Sequence, residues 1–386
     1  MLSKRLLGIA LLAATLRTAV GALSPIIGVV GADVPLTDLS IGVLGALPPL
    51  CFGLFGLLTP ILRRRISLET LALLALAGML CGHVVRAAAA SAGLLVSMSA
   101  LIFAAAGIAN VVLPPLVKQS FPARIGIVTS VYVTLMTTFS LLPPLVAVPV
   151  ARAGGWRVAV GMWGALCLIA IFPWLPLRLR AREIVAPPSL TGLRPMWRSR
   201  LGWCLAILFA MTAANVFAMF AWLPKILVDT AGVSAGQAGA LLSLYAAVGV
   251  PLALLVPQLA TRLRHLGVLI AIGFFCYLAG YLGLAIAPTR GTVGWVVLIG
   301  LGPLLFPLTL TLINLRTRTT AGATALSGLT QGAGYLLGGL GPLALGVTRQ
   351  LTGSWTVPLA LLLATLPIVA VTGYLVSRPT TLEDSP

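Results

Sequence analysis

The run from residue 6 to residue 31 is apolar apart from one charge, Arg17. That arginine lies about twelve residues, or roughly 18 Å of helix at 1.5 Å per residue, inside the run. Its guanidinium stays ionised and presents a planar fork of N–H donors suited to carboxylate-like groups. Placing such a group at the centre of a lipid-crossing helix costs at least about 2.5 kcal/mol, so it needs a wet cavity or a partner. The seven acids sit elsewhere: Asp33, Asp38 and Asp229 between apolar runs, Glu69 and Glu183 beside basic stretches, and Glu383 and Asp384 in the tail. The partners left for Arg17 are main-chain carbonyls, polar side chains or a bound anion.

The same lack of mid-run carboxylates argues against a metal site, carboxylate-based hydrolysis and an acid proton relay, and no cofactor is expected. At a depth near that of Arg17 stand Thr137, Thr138, Asn215, Tyr245 and Gln331. Tyr335 follows Gln331 by four residues and shares its helix face, while Asn110 lies nearer one end of its run. Each is either a ligand for a solute or a hydrogen bond between packed helices. His83, near the end of the third run, is a candidate for proton coupling because imidazole titrates near neutrality; an interfacial histidine is the plainer alternative. His265 lies in a basic loop and carries no specific expectation.

These residues need helices to position them. Of 386 residues 59% are hydrophobic and 8% charged, against about 25% charged in soluble domains. The long apolar stretches lack the alternation of a membrane barrel, which leaves helices. Twelve segments are long enough to span a bilayer, at approximately 6–31, 40–62, 68–88, 93–116, 125–150, 156–177, 201–226, 235–260, 267–287, 292–314, 320–347 and 355–376. The fold expected is an all-α membrane protein with a six-helix bundle over 1–177, a linker over 178–200 and a second bundle with a short tail over 201–386.

The net charge of +18 sits in the connections. Apart from Arg17, eighteen of the Lys and Arg side chains fall on the side of the even-numbered connections and the termini, and six on the other. That bias predicts both termini in the cytoplasm of an inner-membrane protein, with no nucleic-acid partner. The five cysteines lie inside apolar runs without metal-like spacing and read as packing residues.

The halves repeat one another. Ser40, Gly42, Gly45, Ala46 and Leu47 recur as Ser234, Gly236, Gly239, Ala240 and Leu241, and Pro143, Gly154 and Trp156 recur as Pro342, Gly353 and Trp355. Duplicated halves with a site near the membrane midplane mark secondary transporters. Gly and Pro, 41 and 27 in number, serve close packing, kinks or hinges.

Gly107, Asn110, Leu113, Pro114, Lys118, Phe121, Pro122 and Arg124, with Trp222, Leu223 and Pro224, give the chain the look of the major facilitator superfamily. Leu16 and Arg17, then Gly155, Trp156 and Arg157, then Gln331, Gly334, Tyr335, Gly341 and Pro342, resemble its branch of cyanate permeases and 2-nitroimidazole exporters. The resemblance implies that spans 1, 4, 7 and 10 line a cavity with help from 2, 5, 8 and 11, and it adds Trp222 to the binding candidates. Two places depart from the pattern. Pro60 and Ile61 stand where the superfamily's loop between spans 2 and 3 often carries an acid, and Thr212, Ala213 and Phe217 replace more polar residues. The expected function is alternating-access transport of a small anionic or polar solute by a monomer, with Arg17 as anchor. The alternative is export of a neutral nitroimidazole-like or drug-like compound.

Overall fold

The computed structural model describes residues 2–63, 65–178, 198–378 and 381–382; the expected linker 178–200 therefore lies largely outside the described residues. Twelve passes are formed among them. Span 1 comprises Leu2–Thr15, Ser24–Ile26 and Ile27–Asp33; span 2 is Asp38–Leu62, span 3 Leu68–Ala87 and span 4 Ala92–Ser120. The helix Ile125–Gly161 turns at Gly155, with φ 84°, so that it holds span 5 and the start of span 6, which continues through Trp163–Ile171 and Trp174–Arg178. Spans 7, 8 and 9 are Arg200–Ala231, Ala235–Arg262 and Gly267–Ile286. Span 10 is Thr292–Leu301, Gly302–Leu304 and Leu305–Leu315, span 11 is Thr320–Gly338 with Leu340–Thr352, and span 12 is Thr356–Ser377.

The starts follow from local chemistry. Thr37, Ser67, Ser91, Ser199, Ser234 and Thr319 each accept a hydrogen bond from a main-chain N–H of the first turn, and Gln237 completes a capping box with Ser234. In lipid these caps matter because the first-turn N–H groups have no water to turn to.

Span 1 differs from the continuous helix expected over 6–31. It unwinds over residues 16–23, placing Arg17 in the break. Pro25 has no N–H to give the carbonyl of residue 21, so an α-helical ladder cannot run unbroken through it. Thr15 and Thr18 turn their hydroxyls onto the carbonyls of Leu12 and Thr15, at 2.8 and 3.0 Å, which competes with the helical ladder.

The buried side chains sort mainly by half, spans 1 to 6 around one set of cores and spans 7 to 12 around another. Arg5 reaches Ser120 at the end of span 4, and the Leu382 N–H bonds the carbonyl of Arg316 at the end of span 10, so both termini lie on one face. On the opposite face each half carries the same brace. The Asp33 carboxylate accepts from the Trp156 indole at 2.8 Å and pairs with Arg157 at 2.5 Å; Asp229 accepts from Trp355 at 2.9 Å and pairs with Arg349 and Lys225, each at 3.4 Å. Arg157 and Arg349 also lie over the rings of Trp156 and Trp355. The Trp156 and Trp355 repeat seen in the sequence thus staples span 1 to span 6, and span 7 to the corner of spans 11 and 12.

Asp33 is solvent-exposed beyond the apolar run, and there the indole and the guanidinium hold its carboxyl below the ordinary carboxylate range. A lowered native pKa stabilises the fold above the unfolded value, about 3.9, and that contribution disappears as pH falls through the native value. Asp33→Asn is therefore expected to lower Tm at pH 7 and to flatten its fall below about pH 4. An unaltered acid limb in a thermal-melt series across pH would refute the brace.

Candidate functional site

Three cavities lie along the interface between the halves. The smallest, about 30 Å³, touches Leu23, Ser24, Gly45, Ser99 and Phe220. The central one, about 280 Å³, is lined by Arg17, Thr137, Ser140, Phe217, Tyr245 and Phe306 among others. The largest, about 660 Å³, runs toward the face bearing the termini between spans 2 and 4 on one side and spans 10 and 11 on the other.

Arg17 lines the central cavity from the break in span 1. Its guanidinium carbon stands 5.1 Å from the centroid of the Phe52 ring, and its charge acts on the Tyr335 hydroxyl. None of the ion pairs among the described residues involves it. An aromatic face supplies part of the missing counter-charge, worth up to about 2 kcal/mol when desolvated. Arg17 thus stacks on an aromatic ring and lines a cavity.

Tyr335 is buried in a cage of Phe52, Phe209, Phe217 and Phe306, with ring centroids 4.9 to 6.3 Å away. Phe52 and Tyr335 line the large cavity, whereas Phe217 and Phe306 line the central one. This aromatic layer separates the two spaces, and Arg17 and Tyr335 meet across it.

The other candidates divide sharply. Thr137 and Tyr245 share the central cavity with Arg17, and Asn110 and Gln331 line the large one. Gln331 donates to Ser327 at 2.7 Å. Asn314 and Ser327 also line that cavity; neither is among the sequence candidates, although Asn314 is a polar side chain at the end of an apolar run. Thr138 is exposed on the far side of span 5 and lines neither space.

Asn215 and Trp222 are fully buried away from the cavities. Asn215 donates to the Met211 carbonyl at 2.8 Å and to Thr365 at 3.0 Å, and accepts from Tyr281 at 2.7 Å. The Trp222 indole donates to the Pro342 carbonyl at 3.0 Å. Both join helices within the second half. Asn215→Ala strands the Tyr281 hydroxyl and should cost roughly 1–3 kcal/mol. Thr138→Ala should stay within about 0.5 kcal/mol. Thermal melts separate the two, and any change in solute preference from Asn215→Ala would contradict its packing role.

His83 is also sealed from the cavities. Its Nδ1 lies 3.2 Å from the Val160 carbonyl and 3.3 Å from an Arg86 nitrogen. Arg86 lies in the last turn of span 3 and is completely buried. Its long side chain folds back along the helix among spans 3 and 6, a direction that residue type and position do not specify.

On the closed face the repeated glycines pair crosswise. A Cβ on Gly45 of span 2 would lie 2.5 Å from that of Ala221 and 3.0 Å from that of Pro342; one on Gly346 of span 11 would lie 2.6 Å from the Asp38 carbonyl. A Cβ on Gly239 of span 8 would lie 2.6 Å from the Pro144 carbonyl of span 5. Ser243 donates to the Leu141 carbonyl at 2.9 Å, and the Leu39 N–H donates to Gln350 at 3.0 Å. The halves are therefore shut on the face opposite the termini and parted on the other. No cluster of three or more metal-ligating side chains occurs among the described residues.

Residues 7–342 match the profile of the Major Facilitator Superfamily. The uncharacterized transporter YycB of Bacillus subtilis is 34% identical, over 95% of this chain and 91% of its own length. The 2-nitroimidazole transporter of Escherichia coli is 31% identical over 91% and 90%, and the cyanate transport protein CynX of the same organism 27% over 81% of each. Among solved structures, an inward-facing bacterial homolog of the human lysosomal transporter Spinster superposes with a TM-score of 0.78 at 17% identity, over 100% of this chain and 98% of that one.

Proposed function

Because this chain belongs to the major facilitator superfamily, and is therefore a multi-pass secondary transporter of the inner membrane rather than an enzyme, we propose that its cargo is a small anionic or strongly polar solute held at Arg17. The observation that carries this reading is a guanidinium at a helix break, open to a cavity between the halves, with no carboxylate from the described residues paired to it. The relatives supply a common denominator. Cyanate is a small anion, and a nitro group offers two oxygens to the same N–H fork; each is a solute that a guanidinium can hold by hydrogen bonds. A neutral nitroheterocycle is accordingly the second reading.

Arg17 belongs to the first half and Tyr245 and Phe306 to the second, so a solute in the cavity they line bridges the two bodies that must rock. Their closure on one face and separation on the other supports alternating access about that point. We place the termini in the cytoplasm on the eighteen-to-six charge bias, with a monomer as the working unit. An inside-negative potential then favours outward movement of an anion by about 2.3 kcal/mol per charge per 100 mV. Import would require exchange, a co-transported cation or a proton carried by the solute itself.

The test is counterflow in proteoliposomes loaded with unlabelled solutes. Saturable trans-stimulation that small anions compete for supports the reading. Flux without saturation indicates a pore, and competition by neutral nitro compounds but not by anions favours the alternative.

A further inference from the structure

The central cavity says more about the cargo than its charge. Among the described residues, Arg17 is the one cationic side chain on its wall. The two hydroxyls of span 5 are already committed: Thr137 donates to the Val133 carbonyl at 2.9 Å and Ser140 to that of Met136 at 2.9 Å. A hydroxyl has a single proton, so both can only accept from the cavity. The Tyr245 ring lines the cavity, whereas its hydroxyl is buried out of the cavity's reach. The ring is fixed by an edge contact with Phe220 at 5.5 Å.

The remaining wall is apolar, including Val20, Val133, Met136, Phe217, Phe306 and Pro307. The cavity's 280 Å³ corresponds to roughly nine water molecules at about 30 Å³ each. A triatomic anion would leave most of that greasy volume unfilled, and a second negative charge would meet no second cation.

We propose that this cavity is the site for a monovalent organic acid with a compact apolar body, an aromatic or branched aliphatic monocarboxylate, whose anionic head accepts from Arg17. Arg17 holds the charge, while the aromatic and proline wall holds the body. This deepens the proposed function and rests on Arg17 as the anchor.

The experiment uses the full-length purified protein, with thermal shift and proteoliposome counterflow as readouts. The probes are benzoate and cyclohexanecarboxylate, the uncharged isostere nitrobenzene, the dianion phthalate, and cyanate. Benzoate or cyclohexanecarboxylate should stabilise the protein and drive counterflow at concentrations at least about tenfold below those needed for phthalate, nitrobenzene or cyanate.

Arg17→Lys and Arg17→Ala distinguish the two levels of the argument. If cyanate binds through Arg17 while both carboxylates do not, the cargo class is overturned and the anchor stands. If probe effects survive unchanged in both Arg17 variants, the anchor itself is overturned. If neither carboxylate has any effect on the wild-type protein, the proposal is also refuted.

Discussion

Arg17→Ala is expected to reduce saturable counterflow at least about a hundredfold without lowering the melting temperature. A hydrogen bond to a charged group contributes about 1.5–3 kcal/mol, and a fork that makes two loses roughly 3 kcal/mol or more when removed. At 1.4 kcal/mol per tenfold this exceeds about two decades in affinity. Folding moves the other way, because no carboxylate among the described residues depends on this arginine and the apolar replacement removes an insertion cost of at least about 2.5 kcal/mol. Arg17→Lys keeps the charge and loses the planar fork, so it should retain about a tenth of the affinity. Counterflow and melting curves on the same preparation decide the matter. A variant that loses activity and stability together would mean that Arg17 serves the fold.

Gly239→Val is expected to trap the transporter open on the face opposite the termini. Even the first added carbon would stand 2.6 Å from the Pro144 carbonyl, a main-chain atom that cannot rotate away. Overpacking of this kind costs about 1–3 kcal/mol in the closed arrangement. In a protein whose states differ by only a few kcal/mol, that shifts their ratio about tenfold to a hundredfold. Each half keeps its own core, so the loss should appear in transport and not in folding.

Ser99 is the reporter, being fully buried beside the small void on that side. In a background lacking the five native cysteines, Ser99→Cys should react slowly with a membrane-impermeant maleimide and at least about tenfold faster once Gly239→Val is added. Lost transport with the introduced thiol still shielded would show that the glycine does not form the closing surface. Gly45→Val should act alike through Ala221 and Pro342, since the repeat places it at the related contact of span 2.

The crosswise pairing explains what the internal repeat is for. Residue spacing alone relates span 2 to span 8, through serine and glycine, and span 5 to span 11, through proline, glycine and tryptophan. The structure adds that span 2 packs on span 11 and span 8 on span 5, so each copy of one motif closes on the other half's copy of the second. The Trp156 and Trp355 match proves to be a brace within each half, completed by Asp33 and Asp229, which as isolated acids between runs show no such pairing in the sequence.

Binding candidates chosen by depth alone fared unevenly for one geometric reason. Residues at equal depth on a helix point in all directions, and successive positions differ by about 100°. Thr137 and Thr138 are adjacent, yet one lines the cavity and the other faces away. Asn215 and Trp222 are polar residues on a cavity-forming helix that turn into its packed side.

By itself the sequence determined that this is a helical membrane protein with twelve passes, repeated halves and one arginine far from acids. Those conclusions depend on composition, length and charge, quantities that add along a chain. Only the tertiary structure decided that span 1 breaks at that arginine, that Tyr245 and Phe306 of the other half line its cavity, that Arg86 is buried, and which face is shut. These depend on helix rotation and on contacts between residues hundreds of positions apart, where local periodicity carries no information.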